Sequence, residues 1–382
     1  MSPFKEPARE ENLKITEAQK KIIIGEITNT MLKLESTKQY ADLLKKNGIK
    51  IVFGYSERYG EGSGKMRLAE YVIADKKIII DETTANIIMK ELTDGGFSVD
   101  KNLPRCLIPI VAHELEHARI NLLFGKIPRF IEEEMMAHLA EARASLDVLN
   151  LSSDSFKAYT LSIESVLAGY FLTSNGYTIM MAIETLSPQY NSMARLLTEN
   201  PKGQIDNLRK NDPVQYRILE KTLADEGKVK SLKEFYTTSF QNLFSERDRI
   251  MRELTSSKNG RNVLETIAIG NVHYVNWALP QLENEEMSSP TAGTTYSVML
   301  ALGSAESIAT VIDRQNAPFL VEARKSTYAR FVRHCVKYTA FLQSYETTKP
   351  NVPSFVNITR FFALKAGMTE KEFDALLKES GI

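Results

Sequence analysis

His113, Glu114 and His117 stand in the run Ile110-Val-Ala-His-Glu-Leu-Glu-His-Ala-Arg119, with the two histidines four residues apart. On an α-helix that spacing puts both imidazoles on one face, where they can reach a single metal ion. Glu114, next to the first histidine, can then serve as general base toward a zinc-activated water. The pattern, HExxH, is that of a zinc hydrolase. A catalytic zinc usually takes three protein ligands and keeps a fourth position for water, so a third ligand is needed. Downstream, Ile131-Glu-Glu-Glu-Met-Met-Ala-His-Leu-Ala-Glu141 places Glu134, His138 and Glu141 at i, i+4 and i+7 of one helical face. They alternate with Met135, Met136, Leu139 and Ala140, which suit a core, whereas Glu132 and Glu133 read as a solvated face.

The elements that must hold these residues follow from periodicity and breakers. Ile15–Lys46 reads as one long amphipathic helix, stopped by Gly48. A strand follows at Ile49–Tyr55, then a polar, glycine-rich loop around Tyr59-Gly-Glu-Gly-Ser-Gly64. Two strand-like runs, near Arg67–Ala74 and Lys77–Asp81, join through Asp75-Lys76 as a hairpin. Thr84–Leu92 is helical up to Asp94-Gly-Gly96. Pro104–Leu123 carries the HExxH and is broken at Gly125–Pro128. Ile131 to about Leu149 forms the second ligand-bearing helix. Beyond Ser152 nearly every segment reads as helix, punctuated by Pro188, Pro201-Lys-Gly203, Asp212-Pro213, Lys258-Asn-Gly260, Pro280, Pro290 and Pro350. The expected fold class is α+β and mainly helical, a small mixed sheet with the HExxH helix followed by a large all-helical region. We set a soft boundary near residue 200, separating a catalytic domain, 1–200, from a helical domain of unknown role, 201–382.

The motif and the downstream glutamate resemble the gluzincin branch of the zincin metallopeptidases, over about residues 45–150. Thermolysin-like and related enzymes of that branch take their third ligand from a Glu on a downstream helix. An Asp commonly follows four residues later, as ExxxD or ExxAD, and orients a ligand histidine. Here the run is Glu134-Met-Met-Ala-His138, so the Glu and Ala match and His stands for Asp. The resemblance implies His113, His117 and Glu134 as zinc ligands and Glu114 as base and polariser. It places His138 behind them, with an imidazole N–H available to a carboxylate ligand. Alternatively His138 is itself the third ligand, supported by Glu134 or Glu141. The turn Tyr71-Val-Ile-Ala-Asp75 into Lys77–Asp81 looks like the edge strand that holds a peptide substrate by backbone pairing. Glu116, usually uncharged in this family, and Arg119, usually apolar, depart from the pattern. As an i, i+3 pair on an exposed flank they would offset each other. For the group that stabilises an oxyanion opposite the zinc, the candidates are His273, Tyr274, Tyr170 and Tyr177. The cluster Asn271-Val-His-Tyr-Val-Asn-Trp277 puts His273 and Tyr274 first.

Composition narrows the alternatives. Lys plus Arg and Asp plus Glu number 48 each, which leaves no basic surplus for a nucleic-acid backbone. Apolar residues are 43% and charged residues 25%, an ordinary globular balance. Cys106 and Cys335 are too few and too distant for a disulfide framework and fit a reducing compartment. Cys106 reads as a buried structural thiol rather than a ligand. Met1-Ser-Pro-Phe-Lys-Glu-Pro-Ala-Arg-Glu10 has no apolar core of a signal peptide. Ser165–Ile183 and Ser288–Ala305 approach membrane-spanning length, but their Gly, Ser and Thr content favours buried helices. The expected location is therefore cytoplasmic, or outside by a leaderless route, with no membrane partner. Gly60-Glu-Gly-Ser-Gly-Lys65 fails the phosphate-loop pattern, since Met66 stands where Ser or Thr is needed. Glu246–Glu253 reads as a solvated helix face with i, i+4 pairs, and Phe361–Leu377 as a helix–turn–helix in shape only. The sequence thus predicts a zinc metallopeptidase acting on a peptide or protein. The alternative is a catalytically silent zincin-like protein that binds partners through its helical half.

Overall fold

Thr16 opens the first helix as an N-cap. Its hydroxyl accepts from the Gln19 N–H, and the Gln19 side chain accepts from the Thr16 N–H, so both exposed donors are satisfied. This helix, α1 (Glu17–Met31), buries Ile23, Ile27 and Met31 at successive turns. The single helix expected over Ile15–Lys46 is in fact two, with α2 at Lys38–Asn47. The Ser36 N–H and hydroxyl both donate to Asp147, and the Thr37 hydroxyl donates to the Met31 carbonyl. Short polar side chains of this kind offer the backbone an alternative to helical bonding. Gly48, at φ +64°, ends α2 as expected.

The structure, a computed structural model, describes residues 14–55, 68–127, 131–151, 205–206, 209–210, 213–256, 258–284, 289–344 and 352–382. The N-terminal segment 1–10, the glycine-rich loop 59–64, the uncharged stretch 165–183 with Tyr170 and Tyr177, the breakers at 188 and 201–203, and the boundary near 200 lie outside the described residues.

Three strands, β1 (Lys50–Gly54), β2 (Ala69–Val72) and β3 (Lys77–Asp81), form a mixed sheet in the order β1-β3-β2. β3 is central, parallel to β1 and antiparallel to β2. Its Ile78, Ile79 and Ile80 are all buried, as a strand covered on both faces requires. The β2–β3 hairpin turns through 73–76, where Lys76 adopts φ +47°. α3 (Glu82–Asp94) follows at once, tied to the N-terminus by the Asn86 side chain, which accepts from the Ile15 N–H. Gly96, at φ +72°, turns the chain into α4 (Val99–Phe124). α4 begins five residues before the expected start, so Pro104 joins Pro109 inside it, each removing one helical hydrogen bond. Gly125, at φ +68°, ends it, and α5 (Ile131–Leu151) returns.

The remaining described helices are α6 (Pro213–Leu223), α7 (Glu226–Ser256), α8 (Lys258–Asn284), α9 (Ser289–Val311), α10 (Pro318–Ala323), α11 (Ala329–Gln343), α12 (Val352–Lys365) and α13 (Glu370–Glu379). A π-helical segment, Arg324–Tyr328, joins α10 to α11. At Gly260 a Cβ would lie 1.9 Å from the Leu254 carbonyl oxygen, so the approach of α8 to the end of α7 requires glycine. In α9, Thr295, Val298, Met299, Leu302 and Ala305 are buried, in keeping with the expected buried helix. Among the described residues no helix is long and apolar enough to cross a membrane. The buried Glu306 of α9 receives both arms of the Arg324 fork at 2.6 Å and the Lys365 ammonium at 3.2 Å. The expected ion pairs of the 246–253 face are present, Arg249 bridging Glu246 and Glu253. Gly367 and a Thr369–Glu372 capping box form the α12–α13 turn.

The chain divides into two compact units. The first comprises Met1–Arg119 and Arg143–Ser152, holding the sheet, α1 to α3, most of α4 and the end of α5. The second comprises Ile120–Ala142 and Ser153–Ile382. In it, Ile120, Met136, Leu219, Leu232 and Tyr236 make a buried apolar cluster joining the end of α4, the start of α5, α6 and α7. Cys106 and Cys335 are both buried thiols, and burial pushes the Cys335 thiol far above the usual range.

Candidate metal centre

α4 turns one face inward along Leu107, Ile108, Val111, Leu115 and Ala118, all fully buried. His113, Glu114 and His117 lie beside this stripe and are half-buried, the setting that a reactive side chain needs. The two imidazoles meet edge to face with ring centres 5.0 Å apart, and their Nε2 atoms are 3.2 Å apart. Two nitrogens bound at about 2.05 Å at the tetrahedral angle would stand about 3.3 Å apart. The two Nε2 atoms are thus within hydrogen-bond distance of each other, a spacing that would also suit two nitrogens on one metal ion.

On α5, Met135, Met136 and Ala140 are buried as expected, and Leu139 is half-buried. Glu132 corrects the sequence reading: it is buried, not part of a solvated face. It sits in the first turn of α5, where the positive end of the helix favours a carboxylate. Glu134 and His138 are half-buried, Glu141 is buried, and His138 Nδ1 lies 3.1 Å from Glu141 Oε2.

The ligand atoms of His113, His117 and Glu134 all lie within 4.8 Å of one another, and so do those of His113, His138 and Glu141. His113 belongs to both groups. Each offers two imidazoles and one carboxylate, a donor set that could hold a divalent metal ion. The geometry therefore brings together the three ligands implied by the family resemblance, and it also forms the alternative set built on His138.

Two interactions around the motif have no signature in the sequence pattern. Glu114 Oε2 accepts from the backbone N–H of Tyr71, on edge strand β2, at 2.7 Å. Glu116 is only 4% exposed, which corrects the expected exposed flank. Its carboxylate accepts from the Tyr40 hydroxyl of α2 at 2.8 Å and from Arg119 Nε and Nη2 at 2.8 and 2.6 Å. The expected Glu116–Arg119 pair exists, but it is a buried tie between the motif helix and α2. Burial and the Glu116 carboxylate together hold the Tyr40 hydroxyl protonated far above its ordinary range. Tyr40 could have been suspected only as a buried aromatic; its polar partner depends on how α2 lies against α4.

His273 and Tyr274 lie on α8. His273 is exposed, while Tyr274 is half-buried, its ring 6.1 Å from that of Trp277. Neither group of metal-ligating atoms includes His273. No protein-family model, curated protein or solved structure matches this chain.

Proposed function

We propose that the chain is a zinc-dependent metallohydrolase, and within that class a peptidase. The observation that carries this reading is the convergence of His113, His117 and Glu134 within 4.8 Å, with Glu114 adjoining the first ligand. His113, His117 and Glu134 would hold the metal, and His138 with Glu141 would support it or, through His113, supply the alternative set. Bound there, Zn2+ would polarise a scissile carbonyl and acidify a water. Glu114 accepts the proton of the attacking water at its carboxylate and returns it to the leaving amine. An extended peptide would align on β2, whose outer side carries no further strand of the described sheet. For the oxyanion, the candidates read from the sequence are His273 and Tyr274, of which Tyr274 is half-buried and His273 exposed.

The test is Glu114→Gln in zinc-loaded protein, assayed against a mixture of fluorogenic peptides. The expected result is loss of at least about 100-fold in turnover, the scale of a general base, with one zinc per chain retained. Equal cleavage by both proteins would remove Glu114 from the reaction. A second reading keeps the fold and the metal without turnover and gives the helical unit a partner-binding role. Trp277, 64% exposed beside Tyr274, is the surface feature that favours it.

A further inference from the structure

Strand β2 pairs with β3 so that Leu68 lies opposite Asp81 and Tyr71 opposite Ile78. The bond from the Asp81 N–H to the Leu68 carbonyl makes that first pair a hydrogen-bonded one. Hydrogen-bonded and open pairs alternate along an antiparallel ladder. Glu70–Ile79 and Val72–Lys77 are then bonded pairs, while Ala69–Ile80 and Tyr71–Ile78 are open ones. The N–H of Tyr71 must therefore point away from β3, off the edge of the sheet. It is this N–H that donates to Glu114 Oε2 at 2.7 Å, a length typical of a bond to a charged acceptor. Two independent observations, ladder parity and side-chain geometry, agree on its direction.

We propose that the backbone amide of Tyr71 is the positioning group for Glu114. The amide holds Oε2, so that Oε1 is the oxygen presented for proton transfer. The carboxylate is thereby fixed against rotation about its terminal torsion, which is otherwise broad. The inference rests on the peptidase reading for its catalytic meaning, but the contact itself joins a sheet edge and a helix of the same unit. It also couples the strand proposed to align the substrate with the base that acts on it, so that movement of β2 moves Glu114.

A backbone N–H can be deleted only by proline. Tyr71 tolerates it in principle, because its N–H is not used in the ladder and β2 is an edge strand. Tyr71→Pro is compared with Tyr71→Ala, which removes the side chain and leaves the amide. Against fluorogenic peptides, Tyr71→Pro is expected to lower kcat about 10- to 100-fold, the value of one hydrogen bond to a charged group. KM and zinc content should stay within about twofold, and the loss of kcat in Tyr71→Pro should exceed that in Tyr71→Ala, which keeps the amide, by at least about fivefold. Wild-type kcat in a folded Tyr71→Pro protein would overturn the proposal. A second measurement needs neither turnover nor the proline variant. In zinc-loaded, [15N]tyrosine-labelled protein, amide exchange at Tyr71 should be slow, and Glu114→Ala should speed it at least tenfold without altering the other tyrosine amides. Exchange at the open-edge rate in wild type, or no response to Glu114→Ala, would also overturn it. Slow, Glu114-dependent exchange in a protein that cleaves no peptide would uphold the positioning contact and sink the peptidase reading instead.

Discussion

Glu116 offers the sharpest test of how the motif helix is held. Its carboxylate is 4% exposed and takes three hydrogen bonds, one from the Tyr40 hydroxyl and two from the Arg119 fork. Tyr40→Phe removes one bond to a charged group, worth about 1.5–3 kcal/mol. Glu116→Gln takes from Arg119, whose side chain is only 29% exposed, the carboxylate that its guanidinium fork binds. Breaking a buried pair this way costs about 3–5 kcal/mol. Because α4 runs from Val99 to Phe124 without interruption, the loss should be felt at the backbone of the histidines. The assay is amide hydrogen exchange of residues 111–119, resolved by fragment mass analysis. Where local opening limits exchange, about 2 kcal/mol corresponds to a roughly 30-fold faster rate and about 4 kcal/mol to nearly 1000-fold. The two changes should be coupled, with Tyr40→Phe adding about 0.5–1.5 kcal/mol, the value of a bond to a neutral acceptor, once Glu116 is Gln. Exchange within threefold of wild type in Glu116→Gln would refute the idea that the buried pair braces the helix. Full additivity would refute the Tyr40 contact alone.

Two further outcomes are expected. Because His113 belongs to both ligand groups, His113→Ala should weaken zinc binding in either arrangement; about a quarter of a typical 10–16 kcal/mol, or two to three orders of magnitude in Kd, measured by chelator competition. Equal losses in His117→Ala and Glu134→Ala but not His138→Ala would select the family-like set, the reverse pattern would select His138 with Glu141, and wild-type affinity in His113→Ala would refute both. His334, buried against the Thr295 hydroxyl at 2.9 Å, has its pKa lowered to about 4, chiefly by burial and further by Lys337, with Glu283 opposing. A histidine kept neutral by the fold stabilises it fully above the unfolded pKa of about 6.5 and loses that contribution as pH falls toward about 4. The loss should reach about 2.5 kcal/mol by pH 4.5 in urea titrations and be absent in His334→Gln; an unchanged pH dependence in that variant would refute the assignment.

Much of the site was legible in the chain because its information is local. The i, i+4 spacing of His113 and His117 needs only a helix to become a shared face, and the i, i+4, i+7 spacing of Glu134, His138 and Glu141 needs only another. Gly48, Gly96 and Gly125 marked helix boundaries because positive φ is cheap for glycine alone. The three isoleucines of β3, and the hairpin before them, followed from run length and turn residues.

What sequence did not decide depends on partners distant in the chain. The break between α1 and α2 is fixed by Asp147, 111 residues from Ser36, so no local pattern could announce it. Glu116 and Glu132 read as surface charges because a carboxylate is usually solvated. Only the arrival of Tyr40 and Arg119 makes the burial of Glu116 tolerable, and Glu132 lies in a first helical turn, whose positive end favours a carboxylate. The amide of Tyr71 has no side-chain signature at all. Every residue but proline carries that N–H, and the parity of a ladder, set by strand pairing, decides which one faces Glu114. Sequence determined which residue types share a face; tertiary structure determined which buried charges find partners and which backbone group meets the candidate base, because both depend on contacts that local spacing does not encode.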